Sequence, residues 1–129
     1  MTARTTIGIA VVEHEGRYLV GIRPAGVPLA GYAEFPGGKC ERGEPPEVCA
    51  ARECLEEASL VVEPTRLFDR IEWSYPHGPV ELHFWLCMLV DVADEPSSPF
   101  QWVPRAELAS LRFPEANATV VTLLTDDSS

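Results

Sequence analysis

With 129 residues, 46% of them hydrophobic, the chain has the size of one compact domain with a single core, and residues 1–129 are read as that domain. Its 20 acidic residues against 10 basic ones leave a net charge of −10, which repels a polyphosphate backbone and argues against a general nucleic-acid binder. No basic, apolar leader is visible, and the longest apolar segment, near Phe84 to Val90, is too short to span a bilayer, so a soluble, cytoplasmic protein without a membrane partner is expected.

Thr6 to Glu13 and Arg17 to Arg23 are Ile- and Val-rich runs around His14-Glu15-Gly16, which predicts a hairpin. Pro24 to Glu44 is dense in glycine and proline and is expected to be a long functional loop. Pro45 and Pro46 suit only a first helical turn, and Val48, Ala51, Cys54, Leu55 and Ala58 follow at helical spacing, predicting a helix over Pro45 to Ala58. Leu60 to Tyr75 and Val80 to Val92, separated by Pro76-His77-Gly78-Pro79, predict a second hairpin. Asp94 to Pro99 reads as a loop, Phe100 to Val103 as a short strand, and Pro104 to Ser110 as a polar helix. A last helix starts near Pro114, and Asp126 to Ser129 are expected to fray.

The four cysteines, Cys40, Cys49, Cys54 and Cys87, do not form the two close pairs of a zinc site, so reduced, mostly buried thiols are expected. His14, His77 and His83 are scattered, and none is assigned a catalytic role.

On the first helix, Glu53, Glu56 and Glu57 fall at i, i+3 and i+4 and project from one face. Such a face taken alone is a solvated surface. Its company changes the reading: Gly37 and Gly38 upstream, Glu44 at the helix entrance and Arg52 beside Glu53. Hard cations such as Mg²⁺ prefer oxygen ligands together with substrate phosphates, and a carboxylate face beside an open glycine-lined backbone offers both.

Read as one string, Gly38-x5-Glu44-x7-Arg52-Glu53-Cys54-Leu55-Glu56-Glu57-Ala58-Ser59-Leu60 resembles the Nudix box, G-x5-E-x7-R-E-U-x-E-E-x-G-U, across residues 38–60. Cys54 stands at an aliphatic position, where a buried thiol packs as a small hydrophobe. Ser59 stands at a glycine position, where the helix end calls for positive φ. The resemblance implies a Nudix-type α/β/α sandwich, a mixed sheet between helices, that hydrolyses nucleotides by substitution at phosphorus. It also implies Mg²⁺, with Mn²⁺ as a possible substitute, held by Glu53, Glu56, Glu57 and the Gly37 carbonyl. Glu53 would be the base that deprotonates or orients the attacking water, with Arg52 and Glu44 holding the carboxylates in place.

The resemblance sharpens towards the MutT-like branch through Leu29-Ala30-Gly31-Tyr32-Ala33-Glu34-Phe35-Pro36-Gly37-Gly38-Lys39, Leu82-His83-Phe84-Trp85-Leu86 and Phe113-Pro114-Glu115-Ala116-Asn117. That branch cleaves nucleoside triphosphates to monophosphate and pyrophosphate, and its matching asparagine reads oxidised guanine, which implies a nucleotide as partner and 8-oxo-dGTP as substrate in nucleotide-pool sanitation. Asn117 therefore has two readings, purine recognition through its carboxamide or helix capping. Arg23 is either a contact to phosphate or base oxygens or a surface cation, and Lys39 either a phosphate contact or an ordinary exposed lysine. Phe35 and Phe84 either wall the base or belong to the core. Gln101 stands where many family members carry a glutamate and cannot act as a base. CTP or a modified pyrimidine triphosphate, another nucleoside-diphosphate-linked compound, or a non-catalytic binding role are the rival readings, in a monomer or homodimer.

Overall fold

The computed structural model describes residues 4–126. Strand β1 (Thr5–His14) turns at Glu15 and Gly16, both with positive φ (52° and 76°), into β2 (Arg17–Ile22). Positive φ at both central residues matches the right-handed twist of the flanking strands, so the predicted hairpin forms. Its pairing is confined to the turn end, Glu13 with Tyr18 and His14 with Arg17.

Beyond that point the two strands part and take other neighbours. β1 runs parallel to β6 (Gly78–Leu89), from Thr5 beside Val80 to Glu13 beside Met88, and antiparallel to β4 (Gly37–Lys39). β2 pairs with β3 (Ala33–Glu34) and with β7 (Phe100–Pro104). The 14-residue β5 (Val62–Tyr75) closes the other side of β6 as the second hairpin, with register shifts near Pro64 and Leu67. The result is a mixed seven-stranded sheet.

Alternate residues of the central strands feed two apolar layers. Ile9, Val11, Val20, Leu82 and Phe84 pack with Leu108, Val120 and Leu124 on one face. Ala10, Val12, Leu19 and Cys87 pack with Ala50, Cys54 and Ala58 of helix α1 (Pro46–Ala58) on the other. A parallel central strand covered on both faces is apolar throughout, and Gly8 to Val12 are buried without interruption. Gly8 lets the helix come close, since a Cβ there would lie 2.6 Å from the Pro46 carbonyl oxygen and 2.8 Å from Cys49 Cβ.

Several expectations are corrected in detail. The Pro24 to Glu44 segment is not all loop, because its short stretches Ala33–Glu34 and Gly37–Lys39 find strand partners in β2 and β1. β6 ends at Leu89 rather than Val92, where the Asp91 carboxylate accepts the Ala93 amide and turns the chain. The polar helix is a 3-10 helix over Arg105–Ser110, and the Ser110 hydroxyl donates to the Glu107 carbonyl. The last helix begins as a 3-10 turn, Glu115–Asn117, before α2 (Ala118–Thr125). Of the segment expected to fray, residues 127–129 lie outside those described.

Candidate active site

The Nudix-like segment folds as a loop, a helix and the β4 strand that faces it. Pro45 and Pro46 open α1 in extended and first-turn positions, where proline's missing amide hydrogen costs nothing. At the other end Ser59 adopts the left-handed conformation (φ 60°) and donates its amide to the Leu55 carbonyl. The glycine-to-serine departure therefore leaves the cap geometry intact. Neighbouring groups hold it there: the Ser59 hydroxyl donates to Ser97 Oγ, which donates to the Glu57 carbonyl, and the Ser97 amide donates to the Ala58 carbonyl.

Arg52 organises the acidic face. Its Nε and Nη2 bind Glu44 Oε2 and Oε1 at 2.8 and 2.9 Å, a two-pronged contact. Nη1 reaches Glu53 at 3.0 Å and Glu56 at 3.2 Å, and Nη2 also donates to the Lys39 carbonyl. Glu44 accepts the Glu41 amide as well, and its carboxyl is held down to about 2, chiefly by the Arg52 hydrogen bonds. The same contacts push the Arg52 guanidinium further up its already high range, so it stays charged.

Glu53 lies against β4 at Gly38, where an added Cβ would fall 2.5 Å from its carboxyl carbon. The absence of a side chain at Gly38 is what lets the carboxylate sit there. Glu57 also faces β4, accepting the Gly37 amide at 2.9 Å. Although the residue as a whole is exposed, desolvation of its carboxyl pushes it up to about 7, opposed by the Gly37 amide and reinforced by Glu53, Glu34 and Glu56. The three glutamates are not drawn into one tight ligand cluster: Arg52 holds Glu53 and Glu56, and Gly37 holds Glu57. A carboxyl raised by desolvation and further by neighbouring carboxylates is one that a bound cation would relieve. The donor set therefore fits a hard divalent ion.

Beside this face, Gly37 also lines a cavity of about 180 Å³ together with Phe35, Asn117, Glu34, Tyr75 and Leu82. Phe35 is stacked on Phe113, ring centroids 5.0 Å apart, which fixes its plane. Asn117 sits at the N-cap of α2 but makes no side-chain capping bond, so the capping reading gives way to a carboxamide at the cavity. Arg23 lies at the end of β2, its Nη1 2.9 Å from Glu34 Oε2 and its Nε on the Pro28 carbonyl. Lys39 ends β4 with an exposed side chain that lines a neighbouring cleft. Phe84 has no exposed surface and belongs to the core, so of its two readings the structure supports core packing. Gln101 is exposed on β7, opposite Val20.

Among the cavity's polar side chains, Glu34 and Tyr75 are not in the set that the sequence assigns to the site. Glu34 adjoins Phe35 in the glycine-rich approach segment, a signal that was available. Tyr75 ends β5, and only the hairpin's return places it beside Asn117.

The family model described as a NUDIX domain matches residues 8–123. The chain is 32% identical over 123 residues to an 8-oxo-dGTP diphosphatase of Escherichia coli K12, covering 92% of this chain and 94% of that protein. It is 29% identical to the 8-oxo-dGTP diphosphatase of Haemophilus influenzae, covering 95% and 92%. Among solved structures, a MutT from work on Aliivibrio salmonicida and Vibrio cholerae superposes with a TM-score of 0.75 at 27% identity, covering 95% of this chain and 96% of that one. A NUDIX hydrolase from Nitrosomonas europaea gives 0.78 at 23% identity, covering 98% and 73%, which speaks to the fold alone.

Proposed function

The chain belongs to the NUDIX family as a MutT-like hydrolase, and from that premise we propose that it cleaves a nucleoside triphosphate to the monophosphate and pyrophosphate, with an oxidised purine such as 8-oxo-dGTP preferred. The observation that carries this reading is the double placement of Gly37, which lines the Phe35–Asn117 cavity while its amide binds Glu57. A base held in the cavity has its phosphates directed along β4 to the glutamate face.

Asn117 supplies both a donor and an acceptor to a purine edge, and Phe35, braced by Phe113, supplies a flat apolar wall. The cavity is smaller than the roughly 300–1,000 Å³ of whole-ligand sites, so it suits the base and leaves sugar and phosphates outside. Arg23, already tied to Glu34 at the end of β2, and Lys39 on β4 are the cations assigned to the substrate.

Glu53 takes the proton of the attacking water, its carboxylate steadied by Arg52 and its position against Gly38. Arg52 and Glu44 form a rigid clamp at the start of the helix, so Glu53 does not have to be ordered at each turnover. Glu53, Glu56 and Glu57 with the Gly37 carbonyl are the groups that would hold Mg²⁺, or Mn²⁺ in its place, and the bound ion supplies charge neutralisation for the phosphates. The chain works as one domain over residues 1–129, as a monomer or homodimer, on a nucleotide pool in the cytoplasm. Among the described residues no helix is long and apolar enough to cross a membrane.

The test is pyrophosphate release from 8-oxo-dGTP, dGTP and CTP with Mg²⁺, comparing wild type with Glu53→Gln. Rapid release that favours 8-oxo-dGTP and collapses in the variant is expected. A large preference for CTP would overturn the base assignment, and no release from any triphosphate would overturn the reaction.

A further inference from the structure

Among the described residues, one group of three cation-binding side chains has its ligand atoms all within 4.8 Å of one another, and it is not the glutamate face: Cys40, Glu44 and Cys49. Sequence spacing gives no hint of it, because a loop and the first residues of α1 separate the two cysteines. The fold joins them. Cys40 follows β4 and is fixed by its amide on the Thr6 carbonyl at 2.9 Å, and Cys49 sits in the first turns of α1, pressed against β1 where Gly8 has no side chain.

The three groups point at each other rather than merely sharing a neighbourhood. The two thiol sulfurs lie within 4.8 Å of each other and of a Glu44 carboxylate oxygen, and the Cys49 thiol donates to the Gly38 carbonyl oxygen at 3.3 Å. Glu44 Oε2 accepts from Arg52 Nε at 2.8 Å, and a carboxylate oxygen has a second lone pair to offer. Cys49 is buried, whereas half-buried Cys40 and Glu44 line an open cleft of about 530 Å³ that gives an ion a way in.

We propose that Cys40, Cys49 and Glu44 form a second cation site that takes a thiophilic divalent ion such as Zn²⁺. Two thiolates and a carboxylate are three of the four ligands of a tetrahedral zinc, and the cleft admits a water as the fourth. Zn–S bonds of about 2.3 Å place two sulfurs about 3.8 Å apart, and thiols within 4.8 Å of each other reach that spacing by small side-chain rotations. On binding, each S–H bond breaks and each sulfur lone pair bonds the ion, so two protons pass to solvent and no electron is transferred. Sulfur ligands separate this site from the all-oxygen glutamate face, because Mg²⁺ is a poor partner for thiolate.

The test is a Co²⁺ titration, with Co²⁺ standing in for Zn²⁺, of the full chain kept reduced by a phosphine and held in excess Mg²⁺. Wild type is expected to develop thiolate-to-cobalt charge-transfer absorption that saturates at one ion per chain and is abolished by one equivalent of Zn²⁺. Cys40→Ser, at a half-buried position and checked for an unchanged circular dichroism spectrum, is expected to weaken binding about tenfold or more. Cys40→Ala serves the same comparison if the serine variant misfolds. No such absorption in wild type, or absorption unchanged in the folded Cys40 variant, overturns the proposal.

Discussion

Arg52 grips Glu44 with two hydrogen bonds of 2.8 and 2.9 Å while a third guanidinium nitrogen reaches Glu53 at 3.0 Å. One planar group thus ties the helix entrance to the carboxylate assigned as base. Lysine keeps the charge but not the fork. Arg52→Lys is expected to lower kcat about tenfold or more with KM little changed. Steady-state kinetics on the best triphosphate measure this, and a pure KM effect would contradict the assignment.

Glu53→Gln keeps the shape and removes the basic carboxylate. Loss of a positioned general base costs about 10²–10⁴-fold in rate. The expected outcome is a kcat reduced within that range while binding of a non-hydrolysable nucleotide is retained, checked by single-turnover kinetics and calorimetry. Equal rates in the two proteins would move the base elsewhere.

Two lowered carboxyls set the response to acid. Glu44, held by Arg52, and Glu81, held by Arg70 and His83, are each brought down to about 2 from 4.5. Because the folded values lie below the unfolded ones, their stabilisation is present above about pH 4.5 and is lost as pH falls towards 2. Thermal melts between pH 6 and pH 2.5 are expected to show a falling Tm, less steep in Glu44→Gln and Glu81→Gln.

Glu57 carries the opposite sign. Its folded value is raised to about 7, so without a divalent ion its contribution worsens as pH rises from 4.5 through 7. Glu57→Gln is expected to raise the metal-free Tm at pH 8 relative to wild type. The same variant is expected to lose most of the Tm gain that Mg²⁺ gives wild type, and differential scanning calorimetry with and without the ion reads both effects.

Asn117→Ala addresses base choice. A bidentate contact to a base is worth about 1–3 kcal/mol of discrimination, so the kcat/KM ratio of 8-oxo-dGTP to dGTP is expected to fall roughly 5- to 150-fold. An unchanged ratio would return Asn117 to a structural role.

How much could be read in advance depended on how local each signal was. Helix α1 and its glutamates follow from a spacing contained in one segment, and the structure places the helix within one residue of expectation. The separation of β1 from β2 and the strands Ala33–Glu34 and Gly37–Lys39 depend on partners distant in sequence, so no local pattern carries them. Phe84 shows the same limit: its alternation marks a strand, but only the packed sheet shows that it has no surface to offer a ligand. Ser59 is the reverse case. Its departure from glycine falls where the helix end calls for positive φ, and Ser97, distant in sequence, is what holds the cap in place.

The parallel pairing of β1 with β6 also governs how the molecule comes to exist. Thr5 finds Val80 and Glu13 finds Met88, so the centre of the sheet cannot close until the chain through Met88 has left the ribosome. Until then β1 has only its turn-end contacts with β2 and the short β4, and its apolar run from Gly8 to Val12 stands open to solvent or to other nascent chains. Loop-closure entropy must be met before that contact yields anything, which makes this a slow-folding topology whose yield on expression depends on concentration and temperature.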